Sequence, residues 1–273
     1  MNEIAAVAAP TMAPRSADLR ATLRRLAEQY PPELLREELD DVPRIAFHIE
    51  LVRAHVMRGA RVCDLGGGIG LFSVGCAAVG LSAMLVDDFA DTIAGYAPQR
   101  LLDLHRAHGV TVVRQDVTAG LDVPRDSLAA VTCFHSIEHW HHSPKRLFAG
   151  VMSALEPGGF FVLAAPNAVN LRKRISVPLG YGNWSALHEW YDAERFRGHV
   201  REPTVSDLRT IADQVGLVNI GTFGRNWLGR SNRRRAIRIA TQWGDRLLRV
   251  RPSLCSDIYV VGIKPFRARG AIG

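Results

Sequence analysis

The stretch RVCDLGGGIGLFSVGCAAVG, residues 61–80, joins an apolar run that ends at Leu65 to a second apolar run that begins at Leu71. Four glycines stand at the junction: Gly66, Gly67, Gly68 and Gly70. Glycine weakens both helices and strands, so four of them in one place need a physical reason. A strand–turn–helix whose backbone N–H groups approach a ligand closely supplies that reason, and we expect a nucleotide-like ligand here.

The alternation of strand and helix continues along the chain. Apolar runs predict strands at 60–65, 81–86, 110–114, 129–134 and 159–165, and helical periodicity predicts helices at 69–79, 97–107 and 143–155. Strands that are almost continuously apolar are covered on both faces, as in parallel sheets. The pattern therefore predicts an α/β fold with a doubly wound, mostly parallel sheet.

The two ends of the chain depart from this rhythm. Helices are predicted at 16–29 and 43–58 before the first strand, and after residue 167 the predicted elements are a helix at 204–215, a strand at 217–224, a helix at 232–249 and a strand at 257–265. We interpret the chain as an N-terminal helical cap (1–58), a main domain (59–265) with insertions at 168–202 and 226–256, and a tail (266–273).

The positive charge is concentrated in one segment. Residues 230–251 hold eight arginines and one acidic residue, so this segment accounts for the whole net charge of +7. The following apolar residues of the segment have helical spacing: Ile237, Ala240, Trp243, Leu247 and Leu248. We expect a basic helix that meets an anionic partner, for which a membrane surface, a lipid-linked glycan and nucleic acid stay open.

The composition also bears on location. Four scattered cysteines without a C-x-x-C pair argue against zinc and against a disulfide framework. The N-terminus lacks the basic region of a signal peptide. The uncharged stretch from Leu65 to Val86 holds six glycines, which fits strand, helix and strand better than a membrane span. We therefore expect a cytoplasmic protein with peripheral contact to a membrane.

Three glycine motifs compete for the junction after Leu65. A phosphate-binding loop needs Lys after its second glycine, but Cys76 follows Gly75. The dinucleotide fingerprint G-x-G-x-x-G fails in both registers, because Leu71 and Ser73 stand at its third glycine. The pattern D-x-G-x-G-x-G fits fully from Asp64 onward.

VCDLGGGIG resembles the first motif of the class I S-adenosylmethionine-dependent methyltransferases, and the resemblance covers about residues 45–225. It implies a seven-stranded Rossmann-like sheet whose glycine loop lies against the amino-acid part and ribose of the methyl donor. The stretch LEPGGFFVLAAPN, which ends at residue 167, resembles the family's turn and fifth strand. A departure is that SLAAV lacks the Asp that the family usually carries early in its fourth strand.

The resemblance also implies which residues bind S-adenosylmethionine. Asp87 lies 21 residues after Gly66, where an acid accepts the ribose hydroxyls, and it fits the register better than Asp88. Asp116 corresponds to the acid that meets the adenine amino group. The full predicted donor-binding set is Asp64, Gly66, Gly67, Gly68, Gly70, Asp87, Asp116, Val117 and Phe134. A solvated acid at a strand end is the alternative for Asp87, and a loop acid for Asp116.

Candidate chemistry follows the fourth strand. A fixed imidazole can act as a general base near neutral pH, and the candidates are His135, His139 and His199. HSIEH and LHEWY resemble the metal-binding segments of ubiquinone-pathway and small-RNA 2′-O-methyltransferases. This resemblance implies a divalent ion, Mg²⁺, on Glu138, His139 and His188, although His135 replaces the motif's first Glu. The alternative is that Glu138 and His139 only anchor the loop.

The sequence predicts methyl transfer to a hydroxyl of a small molecule or saccharide, with a lipid-linked acceptor as one form of it. The preference for oxygen comes from the resemblance to ubiquinone-pathway-type and saccharide or small-molecule O-methyltransferases. The aromatic residues Tyr181, Trp184, Trp190 and Tyr191 are predicted to form an acceptor lid or a packed insertion core. The alternatives are an RNA 2′-O-methyltransferase, which no RNA-binding module supports, and a non-catalytic binding protein on the same fold.

Overall fold

A computed structural model describes residues 16–89, 98–183, 185–192, 194, 196, 198–227 and 235–266. Its helices are α1 (Ser16–Ala27), α2 (Pro32–Arg53), α3 (Leu71–Ala78), α4 (Pro98–Ala107), α5 (Lys145–Ala154), α6 (Leu171–Ser176), α7 (Leu187–Tyr191), α8 (Val205–Val215) and α9 (Arg235–Arg249). Its strands are β1 (Arg61–Leu65), β2 (Ser82–Asp87), β3 (Thr111–Arg114), β4 (Leu128–Phe134), β5 (Leu155–Pro166), β6 (Val218–Arg225) and β7 (Asp257–Ile263).

Within the described residues, the strands form one seven-stranded sheet in the order β3-β2-β1-β4-β5-β7-β6. The first five strands in this order are parallel, whereas β7 runs antiparallel to both β5 and β6. The chain moves outward from β1 through β2 to β3 and then returns to the other side of β1 at β4. This reversal places a crevice at the carboxyl ends of β1 and β4, which is where open α/β sheets bind ligands.

The sheet is covered by helices on both faces, as its continuous apolar strands predict. Along β5, Phe160 and Val162 pack in a core with α1, α2 and α3, while Phe161 and Leu163 pack in a second core with α5 and α8. Side chains of a strand alternate between faces, so each strand contributes to both cores. The doubly wound architecture is confirmed.

Helix α2 differs from its prediction. It begins at Pro32 rather than 43 and ends at Arg53, and Pro43 lies inside it. Proline removes one backbone hydrogen bond from a helix interior. The buried side chains of Leu34 and Ile49 lie on either side of this point, so core packing continues through the proline. The division of the chain at residue 58 stays a prediction.

Strand β5 also begins earlier than expected. The segment Pro157–Gly159, predicted as a turn before the strand, lies inside β5 as an irregularity between the pairs Leu128–Leu155 and Ala130–Phe160. Gly158 donates its N–H to the carbonyl of Lys264 (2.9 Å) and has a φ of 82°, which favours glycine. The predicted turn is therefore a bulge that pairs with the chain after β7.

The structure bears on the expectations about the cysteines and about a membrane-spanning segment. All four cysteines are buried and free. Among the described helices, none combines the length and the hydropathy that a bilayer crossing requires. Residues 230–234 of the arginine-rich segment lie outside the described residues, as do Trp184 and the tail from 267 onward.

Candidate active site

A cavity of about 690 Å³ opens at the carboxyl ends of β1, β2 and β4. The glycine loop of residues 66–70 forms one wall, and residues after β2 and β4 and part of α2 form the others. All of the predicted donor-binding residues line it: Asp64, Gly66, Gly67, Gly68, Gly70, Asp87, Asp116, Val117 and Phe134. Of the predicted bases, His135 and His139 line it as well.

The glycines of the loop have different roles. A Cβ on Gly66 would lie 1.9 Å from Ser136 Oγ, and one on Gly67 would lie 1.9 Å from Asp64 Oδ2. These two glycines therefore make room for the protein's own side chains rather than for a ligand. Gly68 has a φ of 58°, and a Cβ there would meet no described atom within 4 Å. The close approach of a ligand that the sequence predicts is available at Gly68.

Asp64 supports the loop from inside the protein. Its carboxyl is buried and accepts hydrogen bonds from Thr132 Oγ1 (2.8 Å) and Ser73 Oγ (3.3 Å). Burial raises the pKa of Asp64 to about 7, and the two hydroxyls oppose that rise. Asp64 therefore links β1, β4 and the start of α3 beneath the glycines.

Asp87 faces the cavity with a fixed carboxylate. Its Oδ2 accepts the N–H of Gly68 (2.9 Å), and its Oδ1 accepts the N–H of Phe89 (2.6 Å). A carboxylate oxygen has a further lone pair, so hydroxyl groups of a ligand can still be bound. Asp88 also lines the cavity, and its backbone carbonyl accepts a hydrogen bond from Arg114 Nε at 3.3 Å.

The wall opposite the glycine loop combines a polar turn with an aromatic stack. Asp116 is exposed, and its Oδ1 accepts from the backbone N–H and the hydroxyl of Thr118. Phe134 stacks on His48 of α2 with ring centroids 3.9 Å apart and planes 2° from parallel. His48 is held by Tyr259 Oη, 2.8 Å from its Nε2, and burial lowers its pKa well below the usual value. Sequence reasoning missed His48, because its position in a predicted helix indicates only that it faces inward and not that it faces a ligand.

Acidic residues of α2 line the cavity beside the glycine loop. Glu37, Glu38 and Asp41 belong to this group, and Asp41 forms an ion pair with Arg44. Burial raises the pKa of Glu38 to about 8, with the charges of Asp41 and Glu37 acting in the same direction. These residues were also missed, since the predicted helix began only at residue 43.

His135 stands directly after β4 with a strained backbone. Its φ of 53° is unusual for a residue with a side chain and costs about 1–3 kcal/mol. Its Nδ1 lies 3.8 Å from Glu138 Oε1, and its Nε2 lies 3.5 Å from Asp257 Oδ1. Burial, followed by the charge of Arg44, lowers the pKa of His135 well below the usual value, so its imidazole is neutral at pH 7.

Glu138, His139 and His199 form the group of potential metal ligands in the described residues, with ligand atoms within 4.8 Å of one another. Glu138 is buried, and its Oε2 has no hydrogen-bond partner among the described atoms. Burial raises the pKa of Glu138 to about 8. His188, the third predicted metal ligand, is exposed on α7 and does not belong to this group.

Backbone hydrogen bonds explain why His199, rather than His188, lies beside Glu138 and His139. The carbonyl of Glu138 accepts the N–H groups of Val200 (2.7 Å) and Arg201 (3.2 Å). These bonds bring the segment before α8 beside the turn that follows β4. The imidazoles of His139 and His199 then lie edge to face, with centroids 4.9 Å apart. Long-range backbone pairing of this kind leaves no local pattern in the sequence.

Two further residues that sequence reasoning missed hold His199. Its Nδ1 lies 2.8 Å from Glu202 Oε1, and the other oxygen of Glu202 pairs with the ammonium of Lys173. Burial, His139 and Lys173 lower the pKa of His199 to about 4. Burial likewise lowers the pKa of Lys173 to about 8.

The described residues of the predicted acceptor lid do not line the cavity. Tyr181, Trp190 and Tyr191 are exposed, and they are absent from the described residues that line the cavity. Among the described aromatic residues of the segment 168–202, Phe196 reaches the cavity wall.

Comparison with known proteins agrees with the fold and the cavity. A family model described as a methyltransferase domain matches residues 17–221. The chain belongs to the class I S-adenosylmethionine-dependent methyltransferases, and S-adenosylmethionine is its methyl donor. A search of curated proteins found no match to the chain.

Solved structures with the same fold come from varied organisms. A Thermotoga maritima methyltransferase described as a possible histamine N-methyltransferase is 13% identical, with a TM-score of 0.54, over 89% of this chain and 99% of its own. An S-adenosylmethionine-dependent methyltransferase from Mesorhizobium loti is 20% identical, with a TM-score of 0.52, over 82% and 97%. Phosphoethanolamine N-methyltransferase 2 from Haemonchus contortus, solved with S-adenosylmethionine, is 15% identical, with a TM-score of 0.51, over 90% and 57%. These likenesses show the fold.

Proposed function

We propose that this methyltransferase acts on a hydroxyl of a small molecule or saccharide and that an imidazole beside the cavity accepts the hydroxyl proton. The observation that carries the proposal is the grouping of His135, His139 and His199 around the carboxyl end of β4. A hydroxyl becomes an effective nucleophile when a positioned base removes its proton in the transition state. A base must be neutral to accept a proton, and the lowered pKa values of His135 and His199 keep those two imidazoles neutral at pH 7.

The donor half of the cavity suits S-adenosylmethionine, which supplies a methyl group on a sulfonium. Asp87 would bind the ribose hydroxyls, since each of its oxygens keeps a lone pair beyond its backbone bond. Gly68 allows the donor to approach the backbone. The carboxyl groups of Glu37, Glu38 and Asp41 line this side of the cavity and offer oxygen acceptors to the donor's polar groups.

The acceptor half is organised around His139 and His199. The carboxylate of Glu202 accepts from Nδ1 of His199, which leaves a lone pair on Nε2 to receive a proton. The low pKa of His199 keeps its imidazole neutral at pH 7. His139 lines the cavity, and its ring lies edge to face with that of His199, with centroids 4.9 Å apart, so His139 is the imidazole placed to receive the hydroxyl proton.

A divalent ion on Glu138, His139 and His199 is the second candidate for activating the hydroxyl. The unpartnered Oε2 of Glu138 and two adjacent imidazoles fit a metal ion. This donor set, with two nitrogens, suits Mn²⁺, Fe²⁺ or Zn²⁺ better than the predicted Mg²⁺, which prefers oxygen ligands. When bound, such an ion would supply Lewis-acid polarisation of the acceptor hydroxyl.

A screen with labelled S-adenosylmethionine tests the proposal. Pools of polyols, saccharides, phenols, amines and RNA are offered, and the labelled product is tested for an oxygen–methyl or a nitrogen–methyl bond. We expect hydroxyl acceptors to be methylated. Products labelled only on nitrogen would refute oxygen transfer, and labelled RNA would support the RNA alternative. Intact donor binding without any transfer would support a binding protein.

Variants of the histidine cluster, together with a chelator, then distinguish activation of the acceptor hydroxyl by an imidazole base from activation by a metal ion. His139→Gln and His199→Gln should each lower kcat about 10²- to 10⁴-fold if the imidazoles serve as the base, with little change in donor binding. His188→Gln, an exposed histidine that does not line the cavity, is the matched control. Full activity in excess chelator would eliminate the metal. Loss of activity in chelator that Mn²⁺ or Zn²⁺ restores would show that a metal ion, rather than an imidazole base, activates the hydroxyl.

A further inference from the structure

Helix α9 packs with its polar side toward the protein. Asp245 is 2% exposed, its Oδ1 accepts from Asn226 Nδ2 at 2.9 Å, and its Oδ2 pairs with Arg249 of the same helix. By contrast, Trp243 is 84% exposed and Leu247 is 77% exposed. A helix on a soluble protein normally buries its apolar stripe and exposes its polar one. Helix α9 instead buries Asp245 and exposes Trp243 and Leu247, while Leu248 of the predicted apolar face is half-buried.

The exposed apolar residues form one stripe. Ile239, Trp243 and Leu247 are spaced four residues apart, so they lie on the same side of the helix, and Val250 continues the line just beyond its end. Asp245 lies half a turn away from Trp243 and faces the protein. The stripe consists of large side chains that nothing in the described part of the chain covers.

Arginines accompany the stripe. Arg235, Arg246 and Arg251 are exposed, and the sequence adds further arginines at 230, 233 and 234. An apolar stripe beside several cationic groups matches a surface that is anionic on the outside and apolar beneath. A polynucleotide offers the charge, and its bases can stack on Trp243, but it provides no apolar layer for Ile239, Leu247 and Val250.

Further exposed apolar residues lie on and just after α6, which contacts the turn that follows α9. Arg174 Nη2 of α6 donates to the carbonyl of Ser253, in the turn that follows α9, at 3.3 Å. Near this contact Ile175 is 57% exposed and Leu179 is 69% exposed. The same short helix carries Lys173, which pairs with Glu202 in the histidine cluster.

We propose that α9 docks the enzyme on an anionic lipid bilayer, with the stripe of Ile239, Trp243, Leu247 and Val250 at the boundary between headgroups and acyl chains. The arginines contact the lipid phosphates. An interfacial helix gains affinity from apolar burial and from electrostatic attraction to the lipid phosphates. Binding is therefore reversible and weakens as the salt concentration rises. This inference goes beyond the acceptor chemistry, because docking is measured without any acceptor and holds whichever atom is methylated.

Cosedimentation of the full-length protein with vesicles tests the proposal. The vesicles contain phosphatidylcholine and phosphatidylglycerol in equal parts, and pure phosphatidylcholine vesicles are the control. We expect binding to the anionic vesicles at low salt and weak binding to the neutral ones. Failure to bind the anionic vesicles at low salt would overturn the proposal.

Two sets of variants locate the contact. Arg235→Gln with Arg246→Gln should weaken binding roughly fivefold for each arginine removed, whereas Arg36→Gln with Arg209→Gln, on exposed positions of α2 and α8, should weaken it much less. Trp243→Ser with Leu247→Ser should lower binding at least as much as the arginine pair. Met57→Ser, as exposed as Trp243 at 84%, should leave it unchanged. Because all of these side chains are exposed, thermal melts should be unaltered.

Other occupants of the stripe are separate outcomes. If Trp243→Ser with Leu247→Ser dissociates a dimer in sedimentation equilibrium and leaves vesicle binding intact, the stripe is a subunit interface and the proposal is wrong. If RNA competes fully with vesicles and the same serine variant still binds RNA and vesicles normally, the arginines alone carry the interaction and the stripe has no docking role.

Discussion

Gly68 donates its backbone N–H to Oδ2 of Asp87 across 2.9 Å, and this bond joins the glycine loop after β1 to the end of β2. The glycine has a positive φ and open space beside it, while the carboxylate keeps lone pairs for a ligand. One hydrogen bond thus fixes both the backbone that the methyl donor approaches and the acid that we assign to its ribose.

Asp87→Ala should weaken binding of S-adenosylmethionine by about 1–3 kcal/mol, the scale for losing hydrogen bonds to a charged group. Asp87→Asn should fall between wild type and Asp87→Ala, because one acceptor oxygen remains. Asp88→Ala is the matched control and should cost much less. Calorimetry of the four proteins measures this series, and a larger loss for Asp88→Ala would move the assignment by one residue.

The glycines of the loop should separate stability from binding. Gly66→Ala should lower the thermal midpoint strongly, because its Cβ would lie 1.9 Å from Ser136 Oγ. Gly68→Ala meets no steric clash and should cost only about 1–2 kcal/mol of stability from its positive φ. Its donor affinity should nevertheless fall, because the methyl group enters the ligand's space. Equal donor affinity for Gly68→Ala and wild type would contradict the assigned approach.

The sequence could predict that the assigned donor-binding residues meet in one cavity, because their determinants are local. The register of Asp64 and Gly68 is set within one strand and one turn, and Asp87 ends the next strand, so spacing alone carries the information. What spacing does not show is the reason for each glycine. Gly66 and Gly67 make room for Ser136 and Asp64, and the contact with Ser136 spans seventy residues of chain.

Asp64→Asn should change how stability depends on pH. The folded protein holds a proton on Asp64 up to about pH 7, whereas the unfolded chain releases it near 3.8, so the free energy of unfolding of the wild type falls as pH rises through this range. The Asn variant has no such proton. Its stability relative to wild type should therefore rise from pH 5 to pH 8. Urea unfolding of both proteins measures the difference, and a constant difference would show that Asp64 does not titrate in this window.

Glu202→Gln should reduce kcat about 10- to 100-fold, because His199 loses the carboxylate that fixes its tautomer. This loss is smaller than the loss expected when the imidazole itself is removed. Glu202 positions His199 rather than touching the donor cavity. Donor affinity measured by calorimetry should therefore be unchanged. Glu156→Gln, an exposed carboxylate elsewhere, is the control. An equal loss of donor affinity and kcat would indicate a general structural effect.

The acceptor half was predicted only in part, for a physical reason. His135, Glu138 and His139 follow one strand, so the sequence places them together. His199 was also predicted as a candidate base, but its place beside His139 depends on the hydrogen bonds from Val200 and Arg201 to the carbonyl of Glu138, and such pairing has no sequence signature. The acidic residues of α2 were missed for a different reason. The helix was predicted to begin at residue 43, whereas α2 begins at Pro32 and continues through Pro43.

The measurement that tests the central claim most directly is a calorimetric titration of the wild-type protein with S-adenosylhomocysteine and, in parallel, with NAD. The cavity built on Gly68 and Asp87 predicts saturable binding of S-adenosylhomocysteine at one site per chain and no comparable binding of NAD. Tight binding of NAD together with no binding of S-adenosylhomocysteine would contradict the account.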